Sequence, residues 1–363
     1  MRDRRTILYL LILSTFLLSM MALLAYADTG MNTGARSSAL YNPDTKTFLY
    51  QENSNERLPM ASTTKIVTAL ISIETLDLNE TVVVPKEAVG IEGSSLYLNE
   101  NDELKVKDLI YGVLLQSAND AATVLALRIS GSVDAFAEKM TERVASIGAT
   151  DTKFENPHGL DAKNHYTTAH DLSVIAAEAL SNSTFREIAA TYKYSFKLGD
   201  ATRTIVNHNK LLKIYDGCIG VKTGFTKKSG RCLVSAAERD GITLVAVTLD
   251  DPDDWQDHKS MLNYGFDNLE SIDLSSTVDI PNSLPTISAD YKRVNIKLSK
   301  NTIVKTKDET VSFSYDLPSY IATDIKSGDK VGTITVKIGD RAEKIDVIAS
   351  NDVTIKRITR RFF

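Results

Sequence analysis

The sequence predicts a mixed α/β fold, an antiparallel sheet joined to a cluster of helices, followed by a smaller all-β, sandwich-like domain. Three observations carry this. Apolar residues at 66, 67, 70, 71 and 73, and along Asp108–Leu115, Asn119–Ile129 and Thr168–Leu180, recur at the helical period. Gly220–Gly224, Cys232–Ala236 and Thr243–Leu249 read instead as neighbouring strands. After about Leu274 the pattern becomes strict alternation in Val294–Leu298, Val311–Tyr315 and Val331–Lys337, continued at Ile345–Ile348 and broken by Asp, Gly and Asn turns.

Taken in order, the chain opens with Arg2, Arg4 and Arg5, an apolar run from Ile7 to Leu24, and Ala25-Tyr26-Ala27. A basic start, an apolar stretch and small residues two apart make a secretory signal peptide, cut before Asp28. The run is also near the length of a membrane span, so an uncleaved signal anchor is the second reading. Either way the working part is exported, to the cell wall or the outer face of the cytoplasmic membrane. Arg36–Tyr41 and Thr47–Tyr50 flank Asn42-Pro43-Asp44 as the arms of a hairpin. Pro59-Met60-Ala61-Ser62 leads into the first helix, and a helix over Trp255–Tyr264 follows the three strands. Ile280–Thr286, with two prolines, begins or links the β region. The expected division is residues 1–27 as signal, 28–272 as the mixed domain, and 273–363 as the β domain with a short basic tail.

A chain of 363 residues exceeds what one core usually supports, which fits two domains. Its net charge of −5 argues against a nucleic-acid partner, which needs concentrated Lys and Arg. Cys218 and Cys232 are too few for a disulfide framework and read as free, small core residues.

Three short motifs in the mixed domain carry chemistry: Ser62-Thr63-Thr64-Lys65, Ser117-Ala118-Asn119 and Lys222-Thr223-Gly224. A serine hydroxyl attacks only when something takes its proton. Residues three apart on a helix share a face, so Lys65 reaches Ser62. The positive helix start favours developing negative charge at Ser62. Lys65 serves as a base only when neutral, and burial and a second cation, Lys222, both lower a lysine pKa. Ser117 is placed to relay a proton to the leaving amine. Asn119 either holds a substrate amide or steadies Lys65. The third motif looks like an edge strand able to pair with an extended peptide. Lys222 and Thr223 would hold a terminal carboxylate, and Gly224 would leave the approach open. The backbone N–H groups of Ser62 and Phe225 are the candidate oxyanion hole. Two decoys, Ser327-Gly328-Asp329-Lys330 and Ser299-Lys300-Asn301, fall in the β region with no helix around them and read as turns.

The order, spacing and contexts of the three motifs occur in class A β-lactamases and penicillin-binding proteins. Five blocks extend the likeness: Pro59–Lys65, Gly93-Ser94-Ser95-Leu96-Tyr97, Leu115–Ala122, Asn156-Pro157-His158-Gly159-Leu160-Asp161, and Asp216-Gly217 through Thr226. From Ala35 to Phe266 the chain resembles the low-molecular-mass penicillin-binding proteins that act as serine D-alanyl-D-alanine carboxypeptidases. The β domain resembles that family's C-terminal domain less specifically. The resemblance implies a β-lactamase/transpeptidase-like fold and peptidoglycan stem peptides as substrates. It implies Ser62 as the acylated residue with Lys65 as base, Ser117 and Asn119 as the second wall, and Lys222 and Thr223 on the carboxylate. It also implies acylation by β-lactam antibiotics, with no metal or cofactor. Phe225 departs from family members that carry His there. The ending Ile355–Phe363, basic with two terminal aromatics, is either a peripheral contact with anionic lipid or a final strand with a solvated end.

Other residues are assigned bland roles. His158 is read as a structural loop residue, because the lysine already supplies a base. His165, His170, His208 and His258 lack zinc-ligand spacing. Asp250-Asp251-Pro252-Asp253-Asp254 lacks the pattern of a calcium loop and reads as a turn. Two further functions compete. A β-lactamase needs a Glu-held water, for which Glu178 with Asn182 is the faint match and Glu155 has no partner. A non-catalytic sensor of wall peptide or penicillin would bind without turnover.

Overall fold

The Asn42-Pro43-Asp44 turn closes the expected hairpin. The Asn42 side-chain oxygen accepts the Thr45 backbone N–H at 2.8 Å, and antiparallel strands β1 (Ser37–Asn42) and β2 (Thr47–Glu52) leave on either side. The computed structural model describes residues 31–287 and 292–356. The signal segment, residues 1–27, and the tail from residue 357 lie outside the described residues.

A short 3-10 turn, Ala61–Thr64, runs into helix α1 (Lys65–Thr75), whose residues through Ser72 are all buried. A small hairpin of β3 (Thr81–Val83) and β4 (Glu103–Lys105) precedes α2 (Val106–Tyr111). Helices α3 (Asn119–Ser130), α4 (Val133–Ala145), α5 (Ala169–Ser181) and α6 (Ser183–Ala190) surround α1. Each of the last three begins at a residue that caps it. Ser132, Thr168 and Asn182 accept the N–H groups of Ala135, Asp171 and Phe185. A second hairpin, β5 (Lys193–Leu198) with β6 (Ala201–Val206), turns at Gly199. Strands β7 (Cys218–Thr226), β8 (Gly230–Arg239) and β9 (Ile242–Leu249) follow, then α7 (Asp254–Asn268).

The main sheet has the order β2-β1-β9-β8-β7, antiparallel throughout. Its middle strand β9, Ile-Thr-Leu-Val-Ala-Val-Thr-Leu, is almost wholly buried because neighbours cover it along both edges and elements pack on its faces. This order leaves β7 as an edge, with the 3-10 turn of Ser62 against it.

Beyond α7, β10 (Leu269–Asp273) pairs with a later strand. The second sheet collects β11 (Ser283–Pro285), β12 (Arg293–Leu298), β14 (Val311–Asp316), β15 (Lys330–Ile338) and β16 (Arg341–Ala349), in the order β11-β12-β16-β15-β14. The remaining strand, β13 (Thr302–Thr306), is the partner of β10. Apolar side chains form two clusters: one of residues between Ala39 and Leu249, the other of residues between Leu274 and Val353. The proline-bearing segment near residue 284 contributes a short edge strand, since Pro285 sits where the ladder ends. Both decoy motifs are turns: Ser299–Asn301 joins β12 to β13, and Asp329 closes back on Lys326 before β15. Cys232 is buried, Cys218 half-buried, and both are free.

Candidate active site

The nucleophile position comes from a strained turn. Ala61 takes a left-handed φ of 47°, which turns the chain so that Ser62 faces a cleft while Thr63 and Thr64 are buried. Lys65 lies one turn on and is completely buried. Its Nζ has three oxygen partners: Ser62 Oγ at 3.0 Å, Asn119 Oδ1 at 2.6 Å and the His158 carbonyl at 2.5 Å. An amide oxygen and a carbonyl only accept. A neutral amine therefore spends both hydrogens on Asn119 and His158, and its lone pair is left for the Ser62 hydroxyl proton. Burial, then the charge of Lys222, hold the Lys65 pKa well below the usual lysine range, and Asp120 opposes them.

Asn119 is committed on both sides, because its Nδ2 donates to the Glu92 carbonyl. Of the two roles the sequence left open, the contact with Lys65 is present in the structure. The chain reaches Asn119 through an irregularity: Gly112–Gln116 widens to a π-helical turn, and Ser117 then adopts a left-handed φ of 61°. That break points Ser117 into the cleft. Asp120, also buried, accepts from Ser95 Oγ at 2.6 Å, Leu96 N at 3.0 Å and Leu98 N at 3.1 Å, fixing the loop that carries Ser94.

The third side of the cleft is β7. A β-carbon at Gly224 would stand 3.0 Å from the Ser62 nitrogen, tighter than most real side-chain contacts, so glycine favours the close approach of the strand to the nucleophile. Phe225 is 66% exposed at the rim. Lys222 is buried, donates to the Thr223 carbonyl at 2.9 Å, and burial lowers its pKa to about 7. A depressed lysine destabilises the fold fully below its native pKa, and the penalty fades as pH rises toward its ordinary 10.5. Lys222→Met is therefore expected to raise stability by about 2 kcal/mol, within the range seen when buried charges become apolar side chains. Thermal melting should show the gain largest below pH 7 and shrinking above it. A lowered melting temperature at pH 5.5 would mean that Lys222 is stabilised by partners that burial alone does not reveal.

The cleft holds about 300 Å³ and is lined by Ser62, Ser94, Ser117, Thr223, Gly224 and Phe225, with His208, Arg231, Asp254 and Trp255 completing it. Lys65 and Asn119 lie behind Ser62. The last four lining residues have no motif in the sequence. Arg231 reaches the cleft because the β7–β8 register sets it opposite Phe225. Its guanidinium pairs with Asp254 at 2.6 Å. Asp254 is the single carboxylate among the lining residues and is held by that pair. Glu178 is elsewhere, bound to Arg143 at 2.7 Å, and Glu155 accepts from Asn164. Neither glutamate weighed for a deacylating water lines the cleft, and the lining carboxylate Asp254 is paired with Arg231.

The histidines divide by role. His158 lends its carbonyl to Lys65, while its ring accepts from Leu160 N at 3.3 Å and burial drops its pKa to about 3. His258 is buried between Ser235 and Thr248. His165 is hydrogen-bonded to Thr64 of the nucleophile turn. The acidic run at 250–254 forms the turn before α7, with Asp251 accepting the Asp253 N–H at 3.0 Å.

Comparison with known proteins agrees with this geometry. A family model described as D-alanyl-D-alanine carboxypeptidase matches residues 25–253. The D-alanyl-D-alanine carboxypeptidase DacF of Bacillus subtilis is 30% identical over 316 residues, 84% of this chain and 81% of that one. The crystal structure of the Streptomyces K15 DD-transpeptidase superposes with a TM-score of 0.62 at 33% identity, over 65% of this chain and 98% of that one. Penicillin-binding protein 5 of Haemophilus influenzae gives a TM-score of 0.66 at 25% identity, over 89% of this chain and 98% of that one. The likeness to the latter extends through the second sheet. With its three motifs meeting at one cleft and the match spanning most of its length, this chain belongs to the D-alanyl-D-alanine carboxypeptidase family.

Proposed function

We propose that the protein removes the terminal D-alanine from peptidoglycan stem peptides through an acyl-enzyme on Ser62, and that β-lactams acylate the same serine. The observation that carries this is the buried Lys65 amine, 3.0 Å from Ser62 Oγ, with its other partners both acceptors. The peptide lies along the β7 edge, its carboxylate toward Lys222 and Thr223. Lys65 takes the Ser62 proton as Oγ attacks the penultimate carbonyl. The oxyanion sits on the N–H groups of Ser62 and Phe225. The proton passes by way of Ser117 to the departing D-alanine amine, and water then hydrolyses the ester with Lys65 again as base. Export is part of the reading, supported by the basic start, apolar run and Ala25-Tyr26-Ala27, and so is peripheral contact of the basic tail with anionic lipid.

The test measures D-alanine release from diacetyl-lysyl-D-alanyl-D-alanine beside labelled penicillin. Wild type should release D-alanine and hold the label, and Ser62→Ala should do neither. Intact mass of the protein recovered from cells should place its first residue at Asp28. Release that survives Ser62→Ala would sink the assignment. A stable label without release would point to a sensor or a transpeptidase, and rapid loss of the label as hydrolysed penicillin to a β-lactamase.

A further inference from the structure

The nucleophile turn is held by a chain of hydrogen bonds that starts about a hundred residues away in sequence. His165 Nδ1 accepts the Glu155 backbone N–H at 3.0 Å, so this nitrogen carries no proton and the hydrogen is on Nε2. Nε2 lies 2.7 Å from Thr64 Oγ1 and therefore donates to it. The Thr64 hydroxyl is left to donate its own proton to the Ala61 carbonyl, 2.8 Å away. All three groups are buried, and the imidazole packs edge-on against Phe154. Burial keeps His165 neutral, with a pKa lowered to about 4, so this arrangement of protons holds through the neutral range.

The carbonyl of Ala61 and the N–H of Ser62 belong to one peptide group. The group is planar, so aiming the carbonyl in one direction aims the N–H in the opposite one. Ala61 is in a left-handed conformation that a non-glycine residue does not hold unaided, so the plane needs an outside restraint. The other side of the plane faces the cleft, where the Ser62 nitrogen is close to β7 at Gly224.

We propose that His165 and Thr64 are positioning residues that aim the Ser62 N–H at the developing oxyanion by holding the Ala61 carbonyl. The inference rests on the role assigned above to the Ser62 amide. Neither side chain touches substrate. Both act on the one hydrogen bond that tightens only as negative charge develops, so their loss should appear in kcat and not in KM.

The experiment uses the full chain. Thr64→Val keeps the side-chain shape and removes the hydroxyl. It is expected to lower kcat for the diacetyl tripeptide and the rate of penicillin acylation by about 10- to 100-fold, less than the ~10²–10³ seen when an oxyanion donor is deleted outright. KM should stay within about threefold, since uniform binding is untouched. Thr64→Ser restores the donor and should recover both rates. The ester carbonyl stretch of the penicilloyl enzyme reads the oxyanion site directly and should move to higher wavenumber in Thr64→Val and return in Thr64→Ser. His165→Phe, which keeps an aromatic ring against Phe154, should reproduce the shift and is read alone if Thr64→Val does not fold. Wild-type kcat in Thr64→Val, an equal defect in Thr64→Ser, or a slowed enzyme with an unmoved carbonyl band would each overturn the proposal. None of these touches the carboxypeptidase reading, which stands or falls on Ser62-dependent release by the wild type.

Discussion

Lys65→Arg is expected to be as inactive as Lys65→Met, each losing about 10³-fold or more in D-alanine release and in penicillin acylation, at the upper end of what a general base contributes. The argument turns on the proton count at Nζ. Its partners are two acceptors and the Ser62 hydroxyl, so only the neutral amine can receive the serine proton. Arginine keeps the positive charge but does not deprotonate in a protein, and its planar fork does not match three convergent partners. If Lys65 instead served only as a fixed positive charge near the oxyanion, Arg would retain much of the rate and Met would lose it. The pH profile checks the same point. The acid limb of kcat/KM reports loss of the Lys65 proton, whose pKa burial and then Lys222 hold well below the usual lysine range. The alkaline limb reports Lys222, with its pKa near 7 when the site is empty. A bound carboxylate favours the charged form of Lys222, so the alkaline limb of kcat should lie at higher pH than that of kcat/KM. The two amines interact, so the limbs belong to the pair.

The parts of this site that were legible in the sequence are those with short-range geometry. Ser62 and Lys65 are three apart, and helical spacing alone brings them together. Lys222-Thr223-Gly224 looks like an edge strand in the sequence, and β7 is indeed the sheet edge. What the sequence hid depends on irregular backbone. Residues 112–116 have an ordinary helical pattern, yet they form a π turn that swings Ser117 into the cleft, and no periodicity records such a widening. The contribution of His158 is a carbonyl, which any residue carries. His165 has no metal-ligand spacing, and its partners Glu155 and Thr64 are revealed only by the fold. The hairpin of β5 and β6 is hard to see in the sequence because its outer face is polar, although Gly199-Asp200 marks its turn. Helix α4 does carry local signals, since Ser132 with Phe136, Ala137, Met140 and Val144 gives both its cap and its buried stripe.

Gly159→Ala is expected to destabilise the protein by about 3 kcal/mol, combining the cost of a left-handed alanine with overpacking. It should also slow D-alanine release by about 10²-fold, the scale of a misplaced reacting group. Gly159 has a φ of +89°, and a β-carbon there would fall on the Ala61 carbonyl, with Thr64 Oγ1 next at 2.9 Å. The obstruction is backbone, which cannot swing aside as a flexible side chain would. Something must shift, and what lies there is the turn carrying Ser62. The loop has little freedom to retreat, since the Asn156 side-chain oxygen accepts the Gly159 N–H at 2.7 Å and the neighbouring His158 carbonyl is bound to Lys65. Gly148→Ala separates the two costs. Its φ is +91°, but nothing lies within 4 Å of where a β-carbon would be. That variant should lose only the conformational part, about 1 kcal/mol, and keep its full rate. Equal effects of the two substitutions on melting temperature and on kcat would show that the loop at 156–161 does not brace the nucleophile. A kcat loss confined to Gly159→Ala would show that it does, and would explain why an Asn-Pro-His-Gly block far from Ser62 in sequence belongs to the reaction without contributing a reacting side chain.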